Sequence, residues 1–275
     1  MHRRKVTTSL LNFNRSSTYI PLIIEACRDT FDSMEDGREG DFQRKMDMLS
    51  FLTFCKILFG SGVQILFEKR LKFIEADGSV SDKRIFECFL DLCHDLIGEH
   101  FNPLTGIFPV IAEKGLYPQA SRNNKNKNTF FKFFRDFLRN IKDRSSVAAL
   151  IKEEGSYSED EILHDLVALM LGGAETSSHT LTSVFYYLKK YPHVMEKLKK
   201  EFQMNGISKE EMLKDAKKLL TMEKLQSLDY LTCVIKETLR YDPPITEPAM
   251  NLVKTDTQIC GVPIPKGTHL TVDIF

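Results

Sequence analysis

The strongest periodic signal in the chain opens at Ser158-Glu159-Asp160-Glu161, a capping box. In such a box the serine hydroxyl accepts from the amide three residues on, and the glutamate side chain reaches back to the serine amide. Apolar residues then recur at Ile162, Leu163, Leu166, Val167, Leu169, Met170 and Leu171, and resume at Leu181, Val184, Phe185 and Leu188. Pro192 stops the pattern after Tyr191. A helix over 159–190 would be about 48 Å long at 1.5 Å per residue. Apolar around much of its circumference, it is expected to cross the centre of a large helical domain.

Weaker signals surround it. A basic helix is expected over Val194–Phe202, with Gly206 as its C-cap. A second box, Ser208-Lys209-Glu210-Glu211, opens another helical stretch, and Leu228–Tyr241 reads as a helix ended by Asp242-Pro243-Pro244. Beyond it the period shortens: 251–254, 257–260 and 269–272 read as strands, turned by Gly261 and by Pro265-Lys266-Gly267. Ser121 to Asn128 is so polar that it reads as a loop. It separates a helical first part from Phe130-Phe131-Lys132-Phe133-Phe134-Arg135-Asp136-Phe137, where core packing of an amphipathic helix is favoured over a membrane-dipping or substrate-channel surface. The expected class is therefore mainly α, with a small β-sheet at the end. No internal repeat or domain-sized linker divides 1–275, which reads as a single domain.

Composition narrows the function. Lys plus Arg equals Asp plus Glu at 38 each, so no basic surplus exists to neutralise phosphates, and nucleic acid is excluded as a partner. No run of about 18 apolar residues reads as a membrane span, and Met1-His2-Arg3-Arg4-Lys5 leads into polar residues rather than a signal peptide. Six cysteines, at 27, 55, 88, 93, 233 and 260, form no CxxC pair and are read mostly as buried, reduced thiols. Both ends read as cut: the start lacks a helix cap, and the strand pattern at 268–275 simply stops.

The long helix also carries the candidate chemistry. Adjacent glycines inside a helix cost about 1 kcal/mol each relative to Ala, so Gly172 and Gly173 need a reason. Close packing of a second helix is one, and local loosening of the helix beside a ligand is another. Glu175 and Thr176 follow, with Ser177, Ser178, His179 and Thr180 extending the polar patch. Taken singly, Glu175 could be an exposed helix residue and Thr176 a back-bonded hydroxyl. Together, a carboxylate and a hydroxyl can relay protons into an apolar cavity that bulk water does not reach. Further on, Glu237 and Arg240 stand at i and i+3, an ordinary surface ion pair by spacing alone.

Taken together, Gly172-Gly173-Ala174-Glu175-Thr176 resembles the oxygen-binding groove of the cytochrome P-450 family, Ala/Gly-Gly-x-Asp/Glu-Thr, matching every defined position. Glu237-Thr238-Leu239-Arg240 with Pro243-Pro244 resembles that family's Glu-x-x-Arg helix, and 261–268 its following strand-turn. Arg3 or Arg4 resembles the arginine that holds a haem propionate. The resemblance implies a partial P-450 fold without the N-terminal anchor region and the C-terminal haem-cysteine loop. It implies haem as cofactor and insertion of one oxygen atom from O2 into an organic, apolar substrate. Thr176 would hydrogen-bond the oxygen, Glu175 would pass protons inward, and Gly172, Gly173 and Ala174 would line the haem face. Glu237 and Arg240 would be a buried bidentate structural pair. An NADPH-dependent reductase would be the redox partner, at the endoplasmic reticulum membrane, with membrane attachment through segments outside this sequence. None of the six cysteines stands in a Phe-x-x-Gly-x-Arg-x-Cys context, so no axial metal ligand is assigned. The rival reading is an inactive truncated product or pseudo-enzyme that keeps the helical fold without productive haem binding.

Overall fold

The computed structural model describes residues 13–32, 42–60, 63, 66, 69–100, 109–141, 143–153, 155, 157–245 and 251–271. In chain order these form α1 (Phe13–Asp32), α2 (Phe42–Phe59), β1 (Arg70–Ile74), β2 (Val80–Arg84), α3 (Ile85–His100), α4 (Pro109–Glu113), α5 (Pro118–Arg139) and α6 (Val147–Glu153). They continue with α7 (Glu159–Lys190), α8 (Pro192–Met204), α9 (Lys209–Leu219), α10 (Met222–Gln226), α11 (Asp229–Tyr241), β3 (Asn251–Leu252), β4 (Thr257–Ile259), β5 (Val262–Ile264) and β6 (His269–Leu270).

The long helix forms as its sequence directs. Ser158 caps α7 with both arms of the box in place, and the helix runs unbroken through Gly172 and Gly173 to Lys190. Its most extensive contact is with α2, which in turn packs on α1. The main core lies where α2, α3, α5, α6 and α7 meet, around Phe51, Phe59, Phe89, Phe130, Phe134 and Leu166. Phe130 and Phe134 are fully buried, so core packing holds for the centre of the phenylalanine-rich segment. Ser178 is fully buried on α7 and donates to Asp47 of α2, while Gln43 donates to both Ser178 Oγ (3.0 Å) and Asp47 (2.8 Å). A polar lock inside an apolar contact fixes rotation, because a turned helix would leave those groups unsatisfied.

Residues 121–128 are a correction: they form the first half of α5, not a loop. Pro118 starts the helix at a position that needs no amide donor. The polar side chains are held by other elements. Arg122 pairs with Asp95 of α3 at 2.8 Å. The Asn124 amide donates to the carbonyls of Ala112 and Glu113. Asn126, 3% exposed, accepts from the Ile74 amide (2.9 Å) and donates to the Ile74 carbonyl (3.0 Å), closing the free edge of β1. At these three positions polarity marks partners distant in sequence, while Lys125, Lys127 and Asn128 face solvent.

The antiparallel pair β1–β2 is a second departure, since strands were expected at the chain's end alone. Its turn runs through Asp77-Gly78, where Gly78 has φ +85° and Asp77 accepts from the Ser79 amide. At the other end β3 pairs with β6 and β4 with β5, each shorter than the alternation suggested. Cys260 (φ +50°) and Gly261 (φ +83°) make the β4–β5 turn, with both central residues left-handed as two-residue hairpins favour.

Candidate functional site

Positions 172, 175, 176, 179 and 183 are spaced by three and four, so they share one stripe of α7. A Cβ at Gly172 would meet no described atom within 4 Å and Glu175 is exposed, so the stripe is open at these two positions among the described residues, whereas Ser183 is buried. Thr176 is half-buried on the same side, and its hydroxyl donates to the Gly172 carbonyl at 2.7 Å. With its proton committed there, the hydroxyl oxygen keeps lone pairs for a donor on the open side. Thr180 repeats the motif one turn on, donating to the Thr176 carbonyl at 2.9 Å. The bland reading of Thr176 as a back-bonded hydroxyl thus describes its own bond, while its place beside Gly172 leaves it reachable.

The two glycines have different reasons. A Cβ at Gly173 would overlap the Phe54 ring of α2, so close helix packing explains it. Ala174 is 2% exposed and belongs to the core on the far side of the helix. Of Gly172, Gly173 and Ala174, expected together along one ligand face, Gly172 alone looks onto open space among the described residues. The physical reason is the 100° step between successive helical residues, which cannot place three in a row on one side.

Carboxylates fix α11 beside this stripe at both ends. At its start, the buried Glu201 of α8 accepts from the amides of Tyr230 (2.6 Å) and Leu231 (2.9 Å), where a helix N-terminus presents unpaired donors. At its end, Asp242 accepts from buried Ser183 at 2.6 Å and contacts His179 Nε2 at 3.3 Å, both on α7. Glu201 is not legible as a cap in the sequence because it comes from a different helix, whereas Asp242 is legible as the end of α11 but without its partners on α7.

Glu237 and Arg240 make a two-bond pair, Nε to Oε2 at 2.8 Å and Nη2 to Oε1 at 2.6 Å. That hydrogen bonding holds the Glu237 carboxyl below its ordinary range and raises Arg240. The pair is bidentate as expected but not buried: the side chains are 65% and 67% exposed among the described residues. It lies at a groove of about 460 Å³ between α7, α8 and α11, with Tyr187, Tyr191, Tyr230 and Cys233 on its walls. Arg3 and Arg4 lie outside the described residues.

Haem would need a face free of side chains and a cysteine thiolate to hold its iron. The open stripe fits the first requirement, since Gly172 places no side chain there. The cysteines do not fit the second. Burial pushes the thiols of Cys88 and Cys93 up to about 12, helped at Cys93 by the charges of Glu175 and Asp47. Burial likewise raises Cys27 and, more strongly, Cys55. A haem-ligating thiolate needs the opposite surroundings. Cys233 and Cys260 are exposed, on α11 and at the β4–β5 turn, so the expectation of mostly buried thiols holds for Cys55, Cys88 and Cys93 and fails for these two. No His, Cys, Asp and Glu cluster suited to a metal occurs among the described residues.

Comparison with known proteins gives this geometry its setting. A family model described as Cytochrome P450 matches residues 1–275. Lanosterol 14-alpha demethylase erg11 of Schizosaccharomyces pombe is 26% identical over 98% of this chain and 52% of its own length. Cytochrome P450 26A1 of Danio rerio is 26% identical over 100% of this chain and 55% of its own. Among solved structures, retinoic acid bound cyanobacterial CYP120A1 is similar with a TM-score of 0.71 at 15% identity, covering 99% of this chain and 55% of that one, a likeness of fold. The chain spans about half the length of the curated relatives it matches. With the family model matched from end to end and an α-rich fold to agree with it, the chain belongs to the cytochrome P450 family.

Proposed function

We propose that this chain carries the oxygen-handling face of a haem monooxygenase, which inserts one atom of O2 into an organic, apolar substrate with electrons from an NADPH-dependent reductase. The observation that carries the reading is the open stripe of α7, where Gly172 leaves space and Thr176 sets a hydroxyl beside it. Haem, when bound, supplies the iron chemistry that splits O2. Gly172 lets a flat group approach the helix backbone. The Thr176 oxygen accepts a hydrogen bond from a molecule lying against Gly172, and it donates one if its bond to the Gly172 carbonyl opens. Glu175, exposed one position earlier, exchanges protons with solvent and hands them toward that hydroxyl. Arg3 or Arg4 would pair with a propionate. The relatives named for lanosterol and retinoic acid support an apolar substrate. A place at the endoplasmic reticulum membrane belongs to the same proposal; no described helix is long and apolar enough to cross a membrane.

The test is Thr176→Ala in the full-length protein. Oxygen consumption is expected to continue while product formed per O2 falls severalfold; unchanged coupling removes the role of Thr176.

One observation favours the second reading, a chain without productive haem binding: the raised thiols of Cys27, Cys55, Cys88 and Cys93. The 275-residue chain supplied with haem and reduced under carbon monoxide is expected to lack the absorption band of thiolate ligation. Appearance of that band would overturn this assignment of the cysteines.

A further inference from the structure

His179 lies on the Gly172–Thr176 stripe of α7, one turn beyond Thr176, and the proton path through Glu175 does not use it. Residues three apart on a helix are neighbours, with Cβ atoms about 5–6 Å apart. Helical side chains lean toward the N-terminal end, so the imidazole covers the turn that carries Glu175 and Thr176. Asp242 of α11 holds the ring, with Oδ1 3.3 Å from Nε2. A carboxylate accepts, so Nε2 carries the hydrogen of that contact and Nδ1 is the nitrogen left to exchange a proton. Nδ1 has no partner among the described residues, and the side chain is 43% exposed to solvent.

Asp242 stands where a carboxylate needs a reason. It ends α11, and the carbonyls of a helix C-terminus disfavour an anion. Ser183 donates to its Oδ2 at 2.6 Å, which leaves Oδ1 to His179. Two cations on the same helices are committed elsewhere: Arg240 to Glu237, and Lys190 over the rings of Tyr186, Tyr187 and Tyr191. Ser183, Asp242 and His179 thus form a fixed hydroxyl–carboxylate–imidazole series that ends beside Thr176.

We infer that His179, oriented by Asp242, is a second proton carrier for the Thr176 hydroxyl, acting in parallel with Glu175; this rests on the oxygen-handling role of Thr176 proposed above. Nδ1 takes a proton from solvent and gives it, through one water, to the Thr176 oxygen. The hydroxyl releases its own proton toward the molecule lying against Gly172. The imidazole ends as it began, the hydroxyl is restored, and no electrons move. Asp242 takes no proton in this step; it holds the ring and its tautomer. A contact that merely ties α11 to α7 would survive His179→Gln, because Gln keeps a donor for Asp242 but has no proton to exchange.

The first measurement needs neither haem nor turnover. In nitrogen-15 spectra of the histidine rings, His179 is assigned by the loss of its signals in His179→Gln. Thr176→Val removes the hydroxyl and keeps the shape, so it is expected to move the Nδ1 signal of His179 and leave Nε2 in place. An Nδ1 signal indifferent to Thr176→Val overturns the inference. The second measurement uses the full-length protein loaded with haem. Glu175→Gln and His179→Gln are each expected to lower product formed per O2 by about twofold, because the other carrier remains, and the double variant by more than about tenfold. Glu175 is exposed and His179 only half-buried, so all three variants should fold. A double variant that loses only the product of the two single losses, or a His179→Gln change without effect even beside Gln at 175, overturns the inference. Those outcomes leave the monooxygenase reading standing. Unchanged coupling in Thr176→Ala instead removes the role of Thr176, and the second carrier with it.

Discussion

Gly172 and Gly173 are neighbours in sequence and opposites in surroundings, so Ala at each position separates helix propensity from packing. At Gly172 no described atom meets a new Cβ, and Gly172→Ala should stabilise the fold by about 1 kcal/mol. At Gly173 the new methyl drives into Phe54, and overpacking of about 1–3 kcal/mol should outweigh that gain. Denaturant unfolding of the two variants should therefore shift in opposite directions, and Phe54→Leu should recover much of the Gly173→Ala loss. Equal stabilisation by both would show that Phe54 swings aside freely. The same pair shows what local sequence reveals about a site. The Gly-Gly-Ala-Glu-Thr run located the turn, but which of its members face out is decided by α2, and α2 lies more than a hundred residues earlier in the chain.

Elements whose signals are local were legible; those held by distant partners were not. The helix α7 carries its own capping box and its own proline stop, and α11 its own terminal prolines. In α5 the opposite holds. Asn124 and Asn126 look like loop residues because their partners lie on other elements. Asn126→Ala should leave the Ile74 amide and carbonyl without partners and cost about 1–3 kcal/mol. Hydrogen exchange offers the sharper measurement: the Ile74 amide should exchange faster while the amides of β2 that pair with β1 stay protected. Unchanged protection at Ile74 would mean that Asn126 contributes nothing to closing the edge. The β1–β2 pair could have been found from Asp77-Gly78, a hairpin turn signal between alternating residues. The exposure of Glu237 and Arg240 could not, since a motif fixes the pair but not what covers it.

Across the whole molecule, the cation of Lys56 is the one to follow. It is buried on α2 and pairs with Asp29 at 2.8 Å and Glu25 at 3.6 Å on α1, while Lys217 of α9 also bonds Glu25. The Lys217 hydrogen bond, ahead of the opposing effect of burial, holds the Glu25 carboxyl below its ordinary value near 4.5. A lowered carboxyl contributes stability that is full above its unfolded value and fades as pH falls through its folded one. Glu25→Gln should therefore lower stability at neutral pH, and the gap to the parent protein should narrow once pH drops below about 4.5. A gap that stays constant down to acid pH would remove Glu25 from this link between α1, α2 and α9.

The lock between Asp47 and Ser178 joins residues 131 apart. Synthesis at about 5–20 residues per second places their emergence roughly 7–26 s apart. For that interval α2 has been made while the helix that covers it has not. Phe54, which closes over Gly173 in the finished protein, would spend that time without its seat. A chain built this way depends during manufacture on something that shelters an apolar helix, and slower translation between α2 and α7 should lower its soluble yield.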